Sequence, residues 1–180
     1  MAGKFSASIR GFSEKSGIKL DAVLRSVLGE IVGKLVDKSP VGNRELWASN
    51  NADKIEWREA HPVYLTGAKA GQPRNRLQPA GYVGGRFKSN WQIGEGSAPV
   101  GELWDKKAER YPDANETLGR LELTYLTAKF GNNYWIVNNL PYAYRLETGW
   151  SQQAPTGMVA TTMAEAQGMV DRAVDATRSR

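Results

Sequence analysis

Apolar residues recur at three- and four-residue steps through the first forty positions, which is the spacing of one face of an α-helix. The recurring positions are Leu20, Val23, Leu24, Val27, Leu28, Ile31, Val32 and Leu35. The pattern predicts a helix from about Phe5 to Asp37, whose broad apolar stripe should lie on a sheet or on a neighbouring subunit. Ser39-Pro40 should end this helix, because the residue before a proline is displaced from the α region.

Three shorter segments have the alternation or the apolar density that is typical of β-strands. They are residues 87–93 (FKSNWQI), 134–138 (YWIVN) and 142–147 (YAYRLE). We therefore predict a small antiparallel sheet built from these strands. Trp91 and Trp135 should fill the core between that sheet and the long helix.

Two further segments predict helices. Residues 117–130 fit a helix or a strand, and we favour the helix because Leu118, Leu121 and Tyr125 share helical spacing. The last helix should start at Pro155-Thr156-Gly157. Its predicted apolar face is narrow and consists of Val159, Met163, Ala166, Val170 and Ala173. The predicted fold class is α+β, with a long N-terminal helix packed on a small antiparallel sheet, a C-terminal helix and a long irregular arm.

Residues 43–85 form the predicted arm, an extended loop within a single domain that spans residues 1–180. Glycine and proline recur from Pro62 onward and interrupt any longer pattern there. Its aromatic residues argue against simple disorder, because disordered segments are poor in aromatic side chains. They are Trp47, Trp57, Tyr64 and Tyr82. An arm that becomes ordered against a partner accounts for both features.

Charge is distributed unevenly along the chain. Residues 1–90 carry fifteen Lys/Arg against eight Asp/Glu, a net +7, whereas the remainder carries nine against eleven, a net −2. Residues 60–94 contain no acidic side chain. The basic residues there are Lys69, Arg74, Arg76, Arg86 and Lys88. Such a stretch suits an acidic protein surface or a nucleic-acid backbone, and it equally suits a solvated basic loop.

Candidate chemistry is sparse. The chain has no cysteine, so no thiolate metal site is available. Its single histidine, His61, excludes a pair of histidine ligands, and because Pro62 follows it in a predicted loop we interpret it as an exposed side chain and find no Ser-His-Asp set. Glu102, Asp105 and Glu109 have helical spacing and could hold a cation, although a solvated helix face is the simpler interpretation. We expect no enzyme activity, no cofactor and no metal. No apolar run approaches the roughly 20 residues that span a bilayer, and we expect no secretory signal, so synthesis in the cytoplasm is predicted.

The positive signal is a surplus of tryptophan and tyrosine beside glycine, proline and arginine, the residue types that dominate strong protein interfaces. Trp47 and Trp150 lie next to turn residues and fit an interface or a core equally well. Arg145 and Glu147 should share one side of a strand and pair across strands or between subunits. The interface candidates are Trp47, Trp57, Tyr64, Arg74, Arg76, Tyr82, Arg86, Tyr142, Tyr144, Arg145, Glu147 and Trp150.

Three motifs, in this order, carry a resemblance to a known family. The first is Ser39–Asn43 (SPVGN) continuing to Leu46-Trp47, and the second is Gly81–Gln92 (GYVGGRFKSNWQ). The third is Tyr134–Ser151 (YWIVNNLPYAYRLETGWS), which is followed by QAP and GMV. Together they resemble the neck proteins of long-tailed bacteriophages, also called head–tail joining or tail-completion proteins, the gene-product-ten family of lambdoid phages. The chain departs from that pattern by roughly thirty extra residues between the first two motifs.

The resemblance implies an α+β fold and a structural, non-catalytic role in the virion. Family members look like ring components of six or twelve copies between the connector and the tail. The implied partners are further copies of the chain, the connector or head-completion protein, and the tail tube or tail-terminator protein. Genome DNA would pass through the ring without sequence-specific binding, no membrane is involved, and synthesis would occur in the bacterial cytoplasm.

Other functions fit parts of the sequence. A tail-terminator or minor tail protein is the nearest alternative. A basic nucleic-acid-binding module using Arg74, Arg76, Arg86 and Lys88 is a second, and it predicts tight, salt-sensitive binding to free DNA. An enzyme whose site has no recognisable motif is a third.

Overall fold

The computed structural model describes residues 19–42, 84–105 and 108–178, together with positions 11 and 14. The chain divides into two units, Met1–Pro40 with Gly85–Arg180, and Val41–Gly84. Nearly all of the second unit lies outside the described residues, so the elements that follow belong to the first. The predictions for the arm therefore stay predictions.

Helix α1 spans Leu20–Lys38, and its end agrees with the sequence prediction. Ser39 leaves the helix with extended backbone (φ −68°, ψ 124°), as the following proline requires. The buried side chains of α1 lie on one face and are Val23, Leu28, Val32, Leu35 and Val36. The predicted start near Phe5 falls almost entirely outside the described residues.

A helical turn, α2 (Arg86–Ser89), precedes strand β1 (Trp91–Glu95). The predicted strand over 87–93 is therefore wrong in its first half. Gly85 adopts a left-handed backbone (φ 100°) that turns the chain into the helix. Phe87 then packs edge-on against Trp91, with ring centroids 5.9 Å apart. Burying both rings favours the helical turn over a strand that would begin four residues earlier, at Phe87.

Strand β2 (Tyr134–Asn138) pairs antiparallel with β1, and Ile93 lies opposite Ile136. Both isoleucines pack against the core. Trp135 lies on the opposite face of the strand and is 48% exposed, so the prediction that it fills the core is wrong. Successive side chains of a strand point to opposite faces, and Ile136 takes the inner one.

Helix α3 spans Ala114–Tyr125, which confirms the helical interpretation of this ambiguous segment. A capping box begins it: the Asp113 carboxylate accepts the Glu116 backbone N–H, and the Glu116 carboxylate accepts that of Asp113, both at 2.9 Å. The helix ends at Tyr125, short of the predicted end at Phe130, and Gly131 (φ 98°) lies in the turn before β2.

Helix α4 spans Ala143–Glu147, so the predicted strand over 142–147 is wrong. Six residues are too few to show a helical period, whereas the alternation of side-chain types in YAYRLE fits a strand. Tyr142, Ala143 and Leu146 turn toward the core, which a helical turn allows and a strand face does not.

The C-terminal helix is present, but as two helices, α5 (Val159–Ala164) and α6 (Ala166–Arg178). The predicted apolar face is wrong at Val159, Met163 and Val170, which are exposed. Its other two members agree with the prediction, since Ala166 is half-buried and Ala173 is buried. The chain turns at Glu165 and shifts the helical phase. The buried side chains around this turn are Met158, Thr162, Met169 and Ala173.

The core lies where α1, α2, β1 and α3 meet the segment around α4 and α5. Its buried members are Val32, Leu35, Val36, Phe87, Trp91, Leu121, Leu140, Ala154 and Met158. The indole N–H of Trp91 donates to the Ser39 hydroxyl (2.7 Å), which in turn donates to the carbonyl of Leu35 (2.6 Å). Helices packed on a two-stranded antiparallel sheet, with helices at both ends, confirm the predicted α+β class.

Candidate protein interface

The Glu147 carboxylate organises the segment after α4. Its Oε2 accepts the backbone N–H groups of Met158 and Val159, and its Oε1 accepts that of Ala160, each at 2.9 Å. These are donors of the first turn of α5, which have no partner within their own helix. Burial raises the pKa of Glu147, but the three backbone N–H donors outweigh it, so the pKa lies below its ordinary value of 4.5.

Two glycines allow the chain between α4 and α5 to close on itself. Gly149 (φ 87°) lies so near the Pro155 carbonyl that an added Cβ would sit 2.5 Å from that oxygen. At Gly157 (φ 79°) an added Cβ would lie 2.5 Å from the carbonyl and carboxylate oxygens of Glu147. Only glycine fits these positions, because both the positive φ and the close approach exclude a side chain.

This closed segment presents an exposed aromatic and basic cluster, which we call the α4 patch: Tyr144, Arg145 and Trp150. Tyr144 is 79% exposed and Trp150 is 76% exposed. The Arg145 guanidinium lies 5.7 Å from the centroid of the Trp150 ring, within the range of a cation–π contact. Trp150 is fixed further by its backbone N–H, which donates to the Arg145 carbonyl at 3.1 Å.

The prediction that Arg145 and Glu147 share one side of a strand is wrong, because both residues lie in helix α4, whereas a pairing between subunits stays a prediction. Side chains two apart in a helix do not face each other. Arg145 accordingly lies at the Trp150 ring, whereas Glu147 is held by the backbone of α5. The sequence shows the carboxylate but not the three N–H groups, which are eleven to thirteen residues away.

Two other interface candidates have structural partners. Arg86 forms an ion pair with Glu102 and donates to the Trp104 carbonyl at 3.1 Å, with its side chain mostly buried. Tyr142 is half-buried, with its ring centroid 6.1 Å from that of Phe87. Both side chains help to hold the fold.

The remaining candidates lie outside the described residues. They are Trp47, Trp57, Tyr64, Arg74, Arg76 and Tyr82. His61 and Lys69 lie outside them too.

Sequence reasoning missed a second exposed surface, which we call the α3 face: Gly119, Glu122, Leu123 and Leu126. Leu123 is 75% exposed and Leu126 is also largely exposed. Residues three and four apart are neighbours on a helix, so these four positions form one continuous strip. The sequence alone could have indicated this surface, because Leu123 and Leu126 lie outside the helical face that Leu118 and Leu121 define.

The acidic set Glu102, Asp105 and Glu109 does not lie on a helix, so the interpretation as a helix face is wrong. Within the described ranges no three His, Cys, Asp or Glu side chains converge as metal ligands would.

None of the helices that the structure describes is both long enough and apolar enough to span a bilayer.

The chain matches no protein-family model, no curated protein and no solved structure. The resemblance to phage neck proteins therefore rests on the three sequence motifs alone.

Proposed function

We propose that the protein is a structural virion component that forms a ring at the head–tail interface of a tailed phage. The ring would join the connector to the tail and leave a channel for the genome. The observation that carries this proposal is the α4 patch. It lies within the third motif of the resemblance, and it exposes two large aromatic rings beside an arginine on a closed, hydrogen-bonded segment.

The physical argument concerns the conformation of the patch. A side chain that is already held in one conformation loses little entropy when a partner covers it. The Glu147 carboxylate and the two glycines fix the backbone beneath the patch, and Arg145 restricts the Trp150 ring. Tryptophan, tyrosine and arginine are also the residues that contribute most to binding energy at protein interfaces. The patch is therefore suited to docking another protein.

The proposed partners are further copies of the chain, six or twelve in a ring, and the connector or head-completion and tail proteins. Genome DNA would pass without sequence-specific contact, and no membrane is involved. Such a protein would be made in the bacterial cytoplasm and end in the virion. The proposed role needs neither catalysis nor a cofactor.

A tail-terminator or minor tail protein would use the same surface, so it stays an alternative within the same class. The nucleic-acid module has less support in the described residues. Arg86, one of its four proposed contacts, already neutralises Glu102 and donates to a backbone carbonyl. An arginine so engaged is a poor phosphate ligand, because binding phosphate would break an existing ion pair.

The first test is the solution mass by light scattering, alone and mixed with the connector and tail proteins. We expect a ring, or a monomer that becomes a ring with those partners. Trp150→Ser should weaken assembly, whereas Val100→Ser, at a 90% exposed residue outside the α4 patch and the α3 face, should not. A protein that ignores these partners and shifts a DNA probe at physiological salt would contradict the proposal and favour the nucleic-acid module.

A further inference from the structure

The α3 face has the composition of a docking surface. Leu123 and Leu126 place two large apolar side chains in water one turn apart. Gly119 lies one turn before Leu123, and a Cβ added there would meet nothing within 4 Å. The strip therefore combines two exposed leucine side chains with an open space over Gly119, which we call the notch, at its N-terminal end. A ring of aromatic size could lie over the glycine and against the leucines.

Charge distinguishes the α3 face from the α4 patch. Glu122 is the exposed charge of the α3 face, and Arg145 is that of the α4 patch. Neither forms an ion pair with any residue of the described ranges, although Glu122 shares a side-chain hydrogen bond with Tyr125. The nearby Glu116 is paired with Arg110, and Glu147 is occupied by the backbone of α5. One surface is thus apolar with a negative charge, and the other is aromatic with a positive charge.

The two surfaces belong to different elements of the same unit. Helix α3 packs on α1 and β1, whereas α4 is linked to α5 through Glu147. A ring of identical subunits needs two different, complementary surfaces on each copy, because its contacts run head to tail. The α4 patch and the α3 face meet that requirement in chemistry and in charge.

We propose that the α4 patch of one copy docks on the α3 face of the next copy. Trp150 and Tyr144 would cover Leu123, Leu126 and the notch at Gly119. Arg145 would approach Glu122, which favours this register over one that places like charges together. This inference rests on the proposed ring, since it names the two surfaces that would close it.

The test uses variants that each remove one surface. Trp150→Glu impairs the α4 patch and leaves the α3 face intact, and Leu123→Glu does the reverse. Both residues are largely exposed, so neither change removes buried contacts, and Val100→Glu provides the matched control. Sedimentation velocity over a wide concentration range should show self-association of the full chain weakened by about tenfold or more in each variant. The control should associate as the unchanged chain does.

Mixing the two impaired variants gives the decisive measurement. Each keeps one intact surface, and the two intact surfaces are complementary. At a concentration where each variant alone is monomeric, an equimolar mixture should therefore form a one-to-one heterodimer that cannot grow. A surface that paired with its own copy would give no such rescue, and absence of the heterodimer would overturn the inference.

A charge exchange tests the register. Arg145→Glu and Glu122→Arg should each weaken self-association, and the double variant should recover most of it, since the pair is restored in reverse. A double variant that self-associates as weakly as the two single variants would contradict the proposed contact between these residues.

Failure of this inference can be separated from failure of the proposed function. If the full chain is monomeric at every concentration, the docking contact is overturned, while assembly with connector and tail proteins still tests the ring. If the chain forms rings that both Trp150→Glu and Leu123→Glu leave intact, the ring stands and the assigned surfaces are wrong.

Discussion

Glu147 shows how one carboxylate can hold a surface segment in place. Its two oxygens accept three backbone N–H groups at the start of α5. We predict that Glu147→Gln lowers the free energy of unfolding by about 1–2 kcal/mol, because an amide has one acceptor oxygen and would turn its NH₂ toward an N–H donor. Urea denaturation measures the effect. The exposed Glu109→Gln should change stability by less than about 0.5 kcal/mol, and an equal effect in both variants would contradict the role of Glu147.

The same carboxylate should make stability depend on pH. The pKa of Glu147 is lower in the folded state than its ordinary value of 4.5. Its contribution is therefore complete above about pH 4.5 and is lost as the pH falls through the folded-state pKa. The stability difference between the unchanged chain and Glu147→Gln should shrink in that acidic range. A difference that stays constant down to the folded-state pKa would contradict this assignment.

At the scale of elements, α3 depends on the capping box at its start. Asp113→Ala removes the side-chain acceptor of the Glu116 backbone N–H and should cost about 1 kcal/mol. Asp113→Ser is the matched control, because a serine hydroxyl can accept the same hydrogen bond. Thermal denaturation should place Asp113→Ser near the unchanged chain and Asp113→Ala below it. Equal stability of the two variants would show that the cap contributes little.

Glu165 links the turn between α5 and α6 to the last turns of α1. Its carboxylate oxygens lie 2.6 Å from the Lys34 ammonium and 2.8 Å from that of Lys38. These lysines lower the pKa of Glu165 from 4.5 to about 2. Carboxyl NMR titration should give a midpoint near 2, and replacing both lysines by alanine should move it up toward the ordinary value. Because the folded pKa is the lower one, the stabilisation exists above about pH 4.5 and disappears as the pH falls toward 2.

The elements that could be predicted from sequence are those whose apolar spacing repeats over many residues or whose ends are marked by residues such as proline. Helix α1 repeats its apolar spacing over many turns, and Ser39-Pro40 marks its end. The errors fall on short segments, where six or seven residues cannot distinguish a strand from a helical turn. Residues 142–147 alternate as a strand would, yet the burial of Ala143 and Leu146 together requires a helix. That burial depends on neighbours distant in sequence, which local pattern does not contain.

The candidate site could be predicted only in part, because some of its contacts join residues that are distant in sequence. Tyr144, Arg145 and Trp150 stand out by residue type; the structure brings Arg145 and Trp150 together and leaves the neighbouring Tyr144 exposed. The role of Glu147 was missed because its partners are backbone groups of another helix. The helical spacing of Leu118 and Leu121 identifies the buried face of α3. Leu123 and Leu126 lie outside that face and are exposed, so this spacing does not predict the α3 face.

At the scale of the whole molecule, the aromatic side chains divide into two sets that should behave differently when replaced. Trp91 is buried and donates its indole N–H to Ser39. Trp150 and Tyr144 are exposed and contact little of the core. Trp91→Ala should therefore cost about 3–5 kcal/mol, through lost burial and a cavity. The double variant Tyr144→Ser/Trp150→Ser should cost under about 1 kcal/mol, mainly the cation–π contact with Arg145.

Assembly should be affected more by the surface variant than by the core variant, which is the reverse of their effects on stability. Measured by light scattering at a temperature where both variants are folded, Tyr144→Ser/Trp150→Ser should fail to form the proposed ring. A Trp91 variant that retains its fold should still assemble, because its α4 patch is unchanged. Denaturation and assembly measured on the same samples separate folding from docking. A double surface variant that loses stability as much as Trp91→Ala would show that the α4 patch belongs to the core and not to an interface.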